Sequence, residues 1–195
     1  MKLIIVNRKR LGVTVIIIGL MLVLLGLEKN FDTKLKFVAL MQNNINSLKK
    51  YQVLGGKVTY KLPTDWVTEE KKFSGDEIIY HNDFTSKDSR IYGFVEIWNL
   101  NKDLKIFLDE SKKISSEQNM YVEYNINQIL INNMDGYLVN YTIINSANVT
   151  YKGYEYFLRN KGKFVRFSFF VKEDNFKENM PTIFKTIVQT IQYRE

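Results

Sequence analysis

From residue 57 onward, apolar and polar side chains alternate along much of the chain. In the segment 57–62, Val58, Tyr60 and Leu62 alternate with polar neighbours, which is the two-residue period of a strand with one polar face. The segment 90–100 has apolar side chains on both faces of the predicted strand, as is typical of a central strand. The pattern predicts strands at 57–62, 77–81, 90–100, 121–131, 137–145, 149–159 and 163–172.

Two segments have helical spacing instead. The first follows Asn101, a residue type that caps helix N-termini, and the second closes the chain with Pro181 in its first turn. Each presents one mainly apolar face, which has to pack on a sheet. These faces consist of Leu104, Phe107, Leu108, Ser111 and Ile114 in the first helix and of Ile183, Phe184, Ile187, Val188 and Ile191 in the second. The elements together predict the α+β class, an antiparallel β-sheet with helices packed on it.

Turn-forming residues separate the predicted strands. Residues 63–65 end the first strand with the sequence Pro-Thr-Asp. Residues 132–136 form a turn-rich loop that ends in Asp-Gly, and residues 160–162 form a short hairpin loop. Short connections of this kind join neighbouring antiparallel strands.

A long apolar segment, 11–27, precedes this domain and contains no charged residue. As a helix it would span about 26 Å, which is near the short end of what crosses a bilayer. Arg8, Lys9 and Arg10 stand before it, and the positive-inside rule keeps such residues in the cytoplasm. The sequence therefore predicts one transmembrane helix, a signal anchor at the cell membrane that follows a cytoplasmic basic N-terminus, 1–10, and leaves the C-terminal domain extracytoplasmic.

Three other interpretations of 11–27 stay open. A cleaved signal peptide fits the basic start, but residues 25–28 lack the small-x-small pattern of a cleavage site. A buried helix of a soluble protein is also consistent with this segment, because a buried helix is apolar on all sides and no polar face interrupts 11–27. A pilin-like N-terminus would be processed before Val13, although Ile17 stands where pilins normally carry Glu.

The segment 28–56 is predicted to be a linker or an amphipathic stalk between the anchor and the extracytoplasmic domain, 57–195. Gly55-Gly56 breaks the chain at the end of this segment. Its possible apolar stripe consists of Leu35, Val38, Ala39, Ile45 and Leu48.

Charge and cysteine content narrow the class of protein. The formal net charge is +7, and four of these charges come from Lys2 and the basic residues 8–10. The three that remain for the rest of the chain are too few for a nucleic-acid surface, which needs a dense basic stripe. The absence of Cys excludes disulfides, thiol catalysis and a lipid-modified N-terminal cysteine.

Candidate chemistry is sparse. His81 is the single histidine, so a catalytic triad or a site of several histidines would need residues from a partner. His81, Asn82, Asp83 and Asp88 are a weak candidate for a cation site, and a polar strand end is the simpler interpretation. No nucleotide-binding or hydrolase motif occurs. We therefore assign no catalytic, cofactor or metal residue, and we expect the protein not to be an enzyme.

Exposed residues offer two further options. The lysine pairs 71–72 and 112–113 would suit anionic lipid or wall polymer, although such pairs are usually just solvated. Tyr151, Tyr154 and Tyr156 would line an exposed sheet edge for a partner, whereas aromatic residues on strands usually belong to the core.

The order of elements resembles the PsbP-like family over roughly residues 57–192. Residues 60–66, with Pro63 and Trp66, are similar to that family's opening strand, which continues with Pro, two residues and Trp. Phe184, Ile187 and the segment 190–191 resemble its terminal helix. The anchor differs from the lipidated cysteine of the lipoprotein members.

This resemblance implies an αβα sandwich around an antiparallel sheet and a non-enzymatic role in binding or assembly, without cofactors. The expected partner is an envelope protein or polymer, and no photosynthetic role is carried over. Two alternatives stay open. A minor pilin-like structural protein would be processed before Val13, and an uncharacterised envelope hydrolase would need a cleft with carboxylates clustered around His81.

Overall fold

The structure is a computed structural model that describes residues 17, 18, 21, 34–36, 38–41, 45–99, 102–117 and 119–194. The predicted basic N-terminus, with Arg8, Lys9 and Arg10, lies outside the described residues. So does the predicted anchor 11–27, apart from Ile17, Ile18 and Met21. Within the described part of the chain, no helix combines the length and the apolar character needed to cross a bilayer.

Two α-helices, one 3-10 helix, Glu173–Asn175, and ten strands are described from residue 45 onward. The helices are α1, Leu104–Ser116, and α2, Met180–Val188. The strands are β1, Leu48–Val53; β2, Val58–Pro63; β3, Val67–Lys71; β4, Ile78–Thr85; β5, Ile91–Asn99; β6, Met120–Ile131; β7, Met134–Ile144; β8, Thr150–Asn160; β9, Lys163–Lys172; and β10, Gln192–Tyr193.

The strands form two antiparallel sheets. The larger has seven strands in the order β3-β4-β5-β9-β8-β7-β6, and the smaller has three in the order β1-β2-β10. Tight hairpins set the register of the large sheet. The β8–β9 turn uses Lys161 and Gly162, with φ of 43° and 77°, and two positive φ values match the twist of the flanking strands.

One face of the large sheet, here called the inner face, packs against the small sheet and α2. Val165, Phe167, Phe169 and Val171 of β9 are fully buried on this face. The Phe169 ring stacks on Phe184 of α2 at 4.4 Å between ring centroids. Alternation on β9 thus directs every second side chain into the main core.

The opposite, outer face carries α1 over part of its area. Leu104 and Leu108 are the buried residues of α1. They pack with Val139, Phe157 and Phe164 of the sheet in a second, smaller core. The helix faces match the predicted apolar stripes, except that Ile114 is 63% exposed.

The predicted antiparallel sheet with packed helices is confirmed, but several local predictions are wrong. Strand β1 lies within 28–56, so the small sheet includes residues before 57. The β6–β7 turn is Asn132-Asn133, with φ of 50° and 62°, and residues 135 and 136 already belong to β7. Asp103 accepts hydrogen bonds from the first backbone N–H groups of α1, and the predicted cap Asn101 lies outside the described residues.

Of the two interpretations of the β8 tyrosines, the core interpretation holds for Tyr154 and Tyr156, and the exposed sheet edge does not. Strand β8 lies between β7 and β9 in the interior of the sheet. Tyr154 and Tyr156 face the main core, whereas Tyr151 lies on the outer face beside Tyr92 at 6.2 Å between ring centroids.

Candidate functional site

Pro63 and Trp66, the two residues of the family-like motif, form a turn at the end of β2. The Pro63 carbonyl accepts a hydrogen bond from the Trp66 N–H at 3.1 Å. This turn carries the indole ring back toward the core, where Trp66 is 7% exposed and packs on Phe84 at 5.1 Å between ring centroids. Pro63 and Trp66 therefore act together, because the turn at Pro63 positions the ring of Trp66.

A pocket of about 490 Å³ opens in front of this ring, and we call it the Trp66 pocket. Ile45, Trp66, Ile91 and Met180 line it and are all buried. They come from the start of the described domain, the β2–β3 turn, β5 and the N-terminus of α2. The volume is within the range of small-molecule sites, and these four apolar side chains share the lining with seven polar or charged ones.

The β4–β5 loop supplies one side of the pocket rim. Asp88 organises it, because its Oδ1 accepts hydrogen bonds from the Ser86 hydroxyl at 2.7 Å and from the Arg90 backbone N–H at 3.2 Å. The Arg90 Nε lies 3.6 Å from Asp88 Oδ2. Partial burial would raise the pKa of Asp88, but these hydrogen bonds and the Arg90 charge outweigh it and lower that pKa. The loop is thus held in one shape by internal bonds.

Five charged residues line the rim, namely Asp65, Lys87, Asp88, Arg90 and Lys177. Arg90 and Asp88 largely offset each other. Lys87 and Lys177 are exposed, and neither forms an ion pair within the described part of the chain. The rim therefore carries two available ammonium groups beside the single remaining carboxylate.

A second constellation crosses the outer face of the large sheet, and we call it the outer-face network. It begins at the edge, where Lys71 of β3 pairs with Asp83 of β4 at 2.5 Å. His81 bridges Asp83 and Glu96 of β5 at 2.7 and 2.8 Å. Arg166 of β9 then lies 3.4 Å from Glu96. Arg166 also donates from its Nε to Glu155 of β8 at 2.6 Å.

His81 is engaged at both ring nitrogens. Its Nδ1 lies within hydrogen-bond distance of Glu96 and its Nε2 within hydrogen-bond distance of Asp83. Phe73 and Phe94 flank the ring at 4.9 and 5.2 Å. Partial burial opposes ionisation of Asp83, but hydrogen bonds from Lys71 and His81 outweigh it and lower the pKa of Asp83.

Glu155 ends the row under α1. Besides Arg166, it accepts hydrogen bonds from the Ser168 hydroxyl at 2.8 Å and the Tyr141 hydroxyl at 2.7 Å. Burial, followed by the charge of Glu155, raises the pKa of Tyr141 well above its usual value. The phenol therefore stays protonated as a donor, and the buried carboxylate has several partners, as such a group requires.

The four residues of the weak cation candidate are not brought together. His81 and Asp83 belong to the outer-face network, whereas the Asn82 amide donates to the Tyr60 hydroxyl on the inner face at 2.8 Å. Asp88 is bound within the β4–β5 loop. Among the described residues, no group of three acidic or histidine side chains is arranged to hold a metal ion.

Sequence reasoning named Trp66 and Asp88 of the pocket and Lys71, His81 and Asp83 of the network as candidates, but it did not group them into these two sites. Glu96, Glu155 and Arg166 each stand between two apolar or aromatic residues of their strands. Charged residues at such positions must pair when buried, and that signal was available in the sequence. The pocket rim gave no comparable signal, since lysines in loops are common.

The sequence matches no protein-family model and no curated protein. A search of solved structures does find matches. One is the solution structure of cyanobacterial PsbP (CyanoP) from Synechocystis sp. PCC 6803, with a TM-score of 0.59 and 17% identity, covering 77% of this chain and 94% of that chain.

Two other solved structures match with lower TM-scores. A Bacteroides thetaiotaomicron protein gives 0.47 at 15% identity, covering 75% of this chain and 48% of that one. A Pseudomonas aeruginosa protein of unknown function gives 0.45 at 9% identity, covering 77% and 99%. The fold of this chain is PsbP-like, as its match to the cyanobacterial protein shows, and the predicted resemblance is confirmed at the level of the fold.

Proposed function

We propose that this protein is a single-pass membrane protein whose PsbP-like domain lies outside the cytoplasmic membrane and binds an envelope protein or polymer without catalysing a reaction. The observation that carries the binding role is the Trp66 pocket, a cavity of about 490 Å³ with an apolar floor and a charged rim. We propose neither a cofactor nor a nucleic-acid partner for this protein.

The anchor and the topology rest on the sequence. The segment 11–27 has no charged residue, and Arg8, Lys9 and Arg10 precede it. A charge-free apolar segment favours a membrane span, and the basic residues favour a cytoplasmic N-terminus.

Recognition by the Trp66 pocket is supported by how its parts are held. Trp66 is fixed by the turn at Pro63 and by its packing on Phe84. The rim loop is fixed by the hydrogen bonds of Asp88. A pocket whose walls are already ordered loses little conformational entropy when a partner binds, and this favours affinity.

The envelope hydrolase gains no support from the site around His81. The two carboxylate neighbours of His81, Asp83 and Glu96, are present, but each one contacts a different nitrogen of the imidazole ring. A general base needs a nitrogen within hydrogen-bond reach of the proton that it removes. Nothing in the described residues favours the pilin-like alternative.

Site-specific photo-crosslinking in intact cells tests the binding role. The photoreactive residue replaces Arg90 on the rim of the Trp66 pocket, and in a matched variant it replaces Lys113. Lys113 is an exposed residue of α1, on the other side of the large sheet. The proposal expects discrete adducts from position 90 that are absent or much weaker from position 113.

A second pair of variants guards against chance contacts. Trp66→Ala, which removes the pocket floor, should abolish the adduct from position 90, and Ile114→Ala, an exposed site on α1, should leave it intact. Equal labelling from both positions, or an adduct from position 90 that survives Trp66→Ala, would refute recognition through this pocket.

A further inference from the structure

The Trp66 pocket is amphipathic in a particular arrangement. Its floor is formed by buried side chains, with Ile45, Trp66, Ile91 and Met180 between 1% and 7% exposed. Its charged residues are all exposed and lie around the opening. A ligand that fills this cavity must therefore have an apolar part, which enters, and a polar part, which stays at the rim.

The charges at the rim indicate the sign of that polar part. The Arg90 side chain is paired with Asp88, so the two contribute little net charge. Lys87 and Lys177 come from two separate segments and have no ion-pair partner among the described residues. Asp65 is the other carboxylate in the lining. The available charge is thus net positive and favours an anion.

The helix next to the rim adds little to this charge. Met180, which lines the pocket, is the first residue of the nine-residue helix α2. Its backbone N–H donates to the Lys177 carbonyl at 3.0 Å, and Pro181 has no backbone N–H. The two lysines are therefore the source of the positive charge at the rim.

We propose that the Trp66 pocket binds an amphipathic anion, with its phosphate or carboxylate group held by Lys87 and Lys177 and its apolar part packed on Trp66. The inference rests on the proposed function and names the ligand chemistry of the same site. An anionic lipid and a soluble amphipathic metabolite share this chemistry, and the experiment below distinguishes them.

The two tryptophans provide a direct probe. The full chain is labelled with ¹⁵N-tryptophan in a non-ionic detergent, and the two indole signals are followed by NMR. Trp66 lies in the pocket, whereas the Trp98 indole donates to Glu96 at 2.8 Å on the outer face and serves as the internal reference. Hexyl phosphate should shift the Trp66 signal in a saturable manner and leave the Trp98 signal in place.

Control ligands separate the two parts of the proposal. Hexyltrimethylammonium, which keeps the alkyl chain and reverses the charge, should cause no saturable shift. Inorganic phosphate, which lacks the alkyl chain, should bind more weakly than hexyl phosphate. Equal responses to the hexyl cation and the hexyl anion would overturn the proposal, and so would a Trp66 signal that does not move.

Variants test the two lysines. Lys87→Ala and Lys177→Ala should each weaken hexyl phosphate binding by about tenfold, the usual value of one hydrogen bond to a charged group. Lys113→Ala, on α1, should leave it unchanged. An unshifted Trp98 signal in each variant shows that the fold is intact. Unaltered affinity in both pocket variants would refute the role of these lysines.

The source of the anion is distinguished with nanodiscs. If a lipid headgroup is the ligand, discs containing phosphatidylglycerol should shift the Trp66 signal relative to pure phosphatidylcholine discs without any added ligand. If the two discs give the same signal and hexyl phosphate still binds, the ligand is a soluble anion. Failure of every anion, together with specific crosslinks from position 90, would refute this ligand class and leave the proposed function standing.

Discussion

The two faces of the large sheet differ in what they bury. On the inner face, Phe167 and Phe169 of β9 are fully buried among apolar and aromatic side chains. On the outer face of the same strand, Arg166 and Ser168 contact the carboxylate of Glu155. Alternate residues of one strand thus enter an apolar core and a row of paired charges.

The difference shows how charges can be buried in a sheet of this size. Glu96 and Glu155 are only 5% and 6% exposed, and each is next to Arg166. Removing charges from water is costly, and the cost is offset only where opposite charges and hydrogen bonds replace the water. The inner face needs no such pairing, because burial of apolar surface is favourable in itself.

Phe169→Ala is expected to have the largest effect, because it leaves a cavity at the centre of the inner face. The ring contacts Phe84, Tyr156 and Phe184. Truncation should lower the free energy of unfolding by about 4 kcal/mol. Urea denaturation followed by near-UV circular dichroism measures this change. A loss below about 1 kcal/mol would show that this face is not the main core.

Arg166→Met is expected to have the next largest effect, because it leaves two buried carboxylates without their shared cation. The expected loss is about 3 kcal/mol, which is typical when one member of a buried ion pair is removed. Adding Glu155→Gln to this variant should recover part of the loss, since it removes one of the uncompensated charges. If the double variant is less stable than the single variant, the charges do not interact in the way described.

Acid should weaken the outer face before it affects the inner face. The pKa of Asp83 is lower in the folded protein than in the unfolded chain. The ionised carboxylate therefore contributes stability above the unfolded pKa, which is about 3.9, and this contribution is lost as the pH falls through the folded value. Denaturation curves from pH 6 to pH 2 should fall less steeply for Asp83→Asn than for the unaltered protein. Parallel curves would contradict the pairing of Asp83.

Asp109→Asn is expected to have the smallest effect and is the matched comparison for Arg166. Asp109 pairs with Lys105 across one turn of α1 at 2.5 Å, but both side chains are about half exposed. Solvent-exposed pairs of this kind contribute less than about 0.5 kcal/mol. A loss as large as that of Arg166→Met would show that burial does not explain the difference between the two pairs.

Sequence pattern predicted much of the large sheet but not its edge or the small sheet. The β8–β9 hairpin was correct because long alternating strands flank a Lys-Gly turn. Strand β3 was missed because its residues 67–71 lie at the sheet edge and are mostly polar and exposed. Strand β1 was missed because its first residue, Leu48, was assigned to a possible helical stripe, and only pairing with β2 decides between the two.

The sites were harder to predict than the fold, because they join distant segments. Arg166 and Glu96 are 70 residues apart and meet through the register of β5 with β9. The Trp66 pocket combines residues 45–46, 65–66, 86–88, 90–91, 177 and 180. Of these residues, Trp66 was identified through the resemblance to a family motif, and Asp88 was named only as part of the weak cation candidate. The positions of Lys87 and Lys177 follow from tertiary structure, which no local pattern records.

Protease treatment of intact cells tests the proposed function most directly. The C-terminal domain is detected by blotting, and full-length protein is measured in the membrane fraction. The account predicts full-length protein in membranes and loss of the domain when protease is added to intact cells. A domain that resists protease until the cells are lysed would contradict the extracytoplasmic location. A shortened protein released into the medium would contradict the membrane anchor.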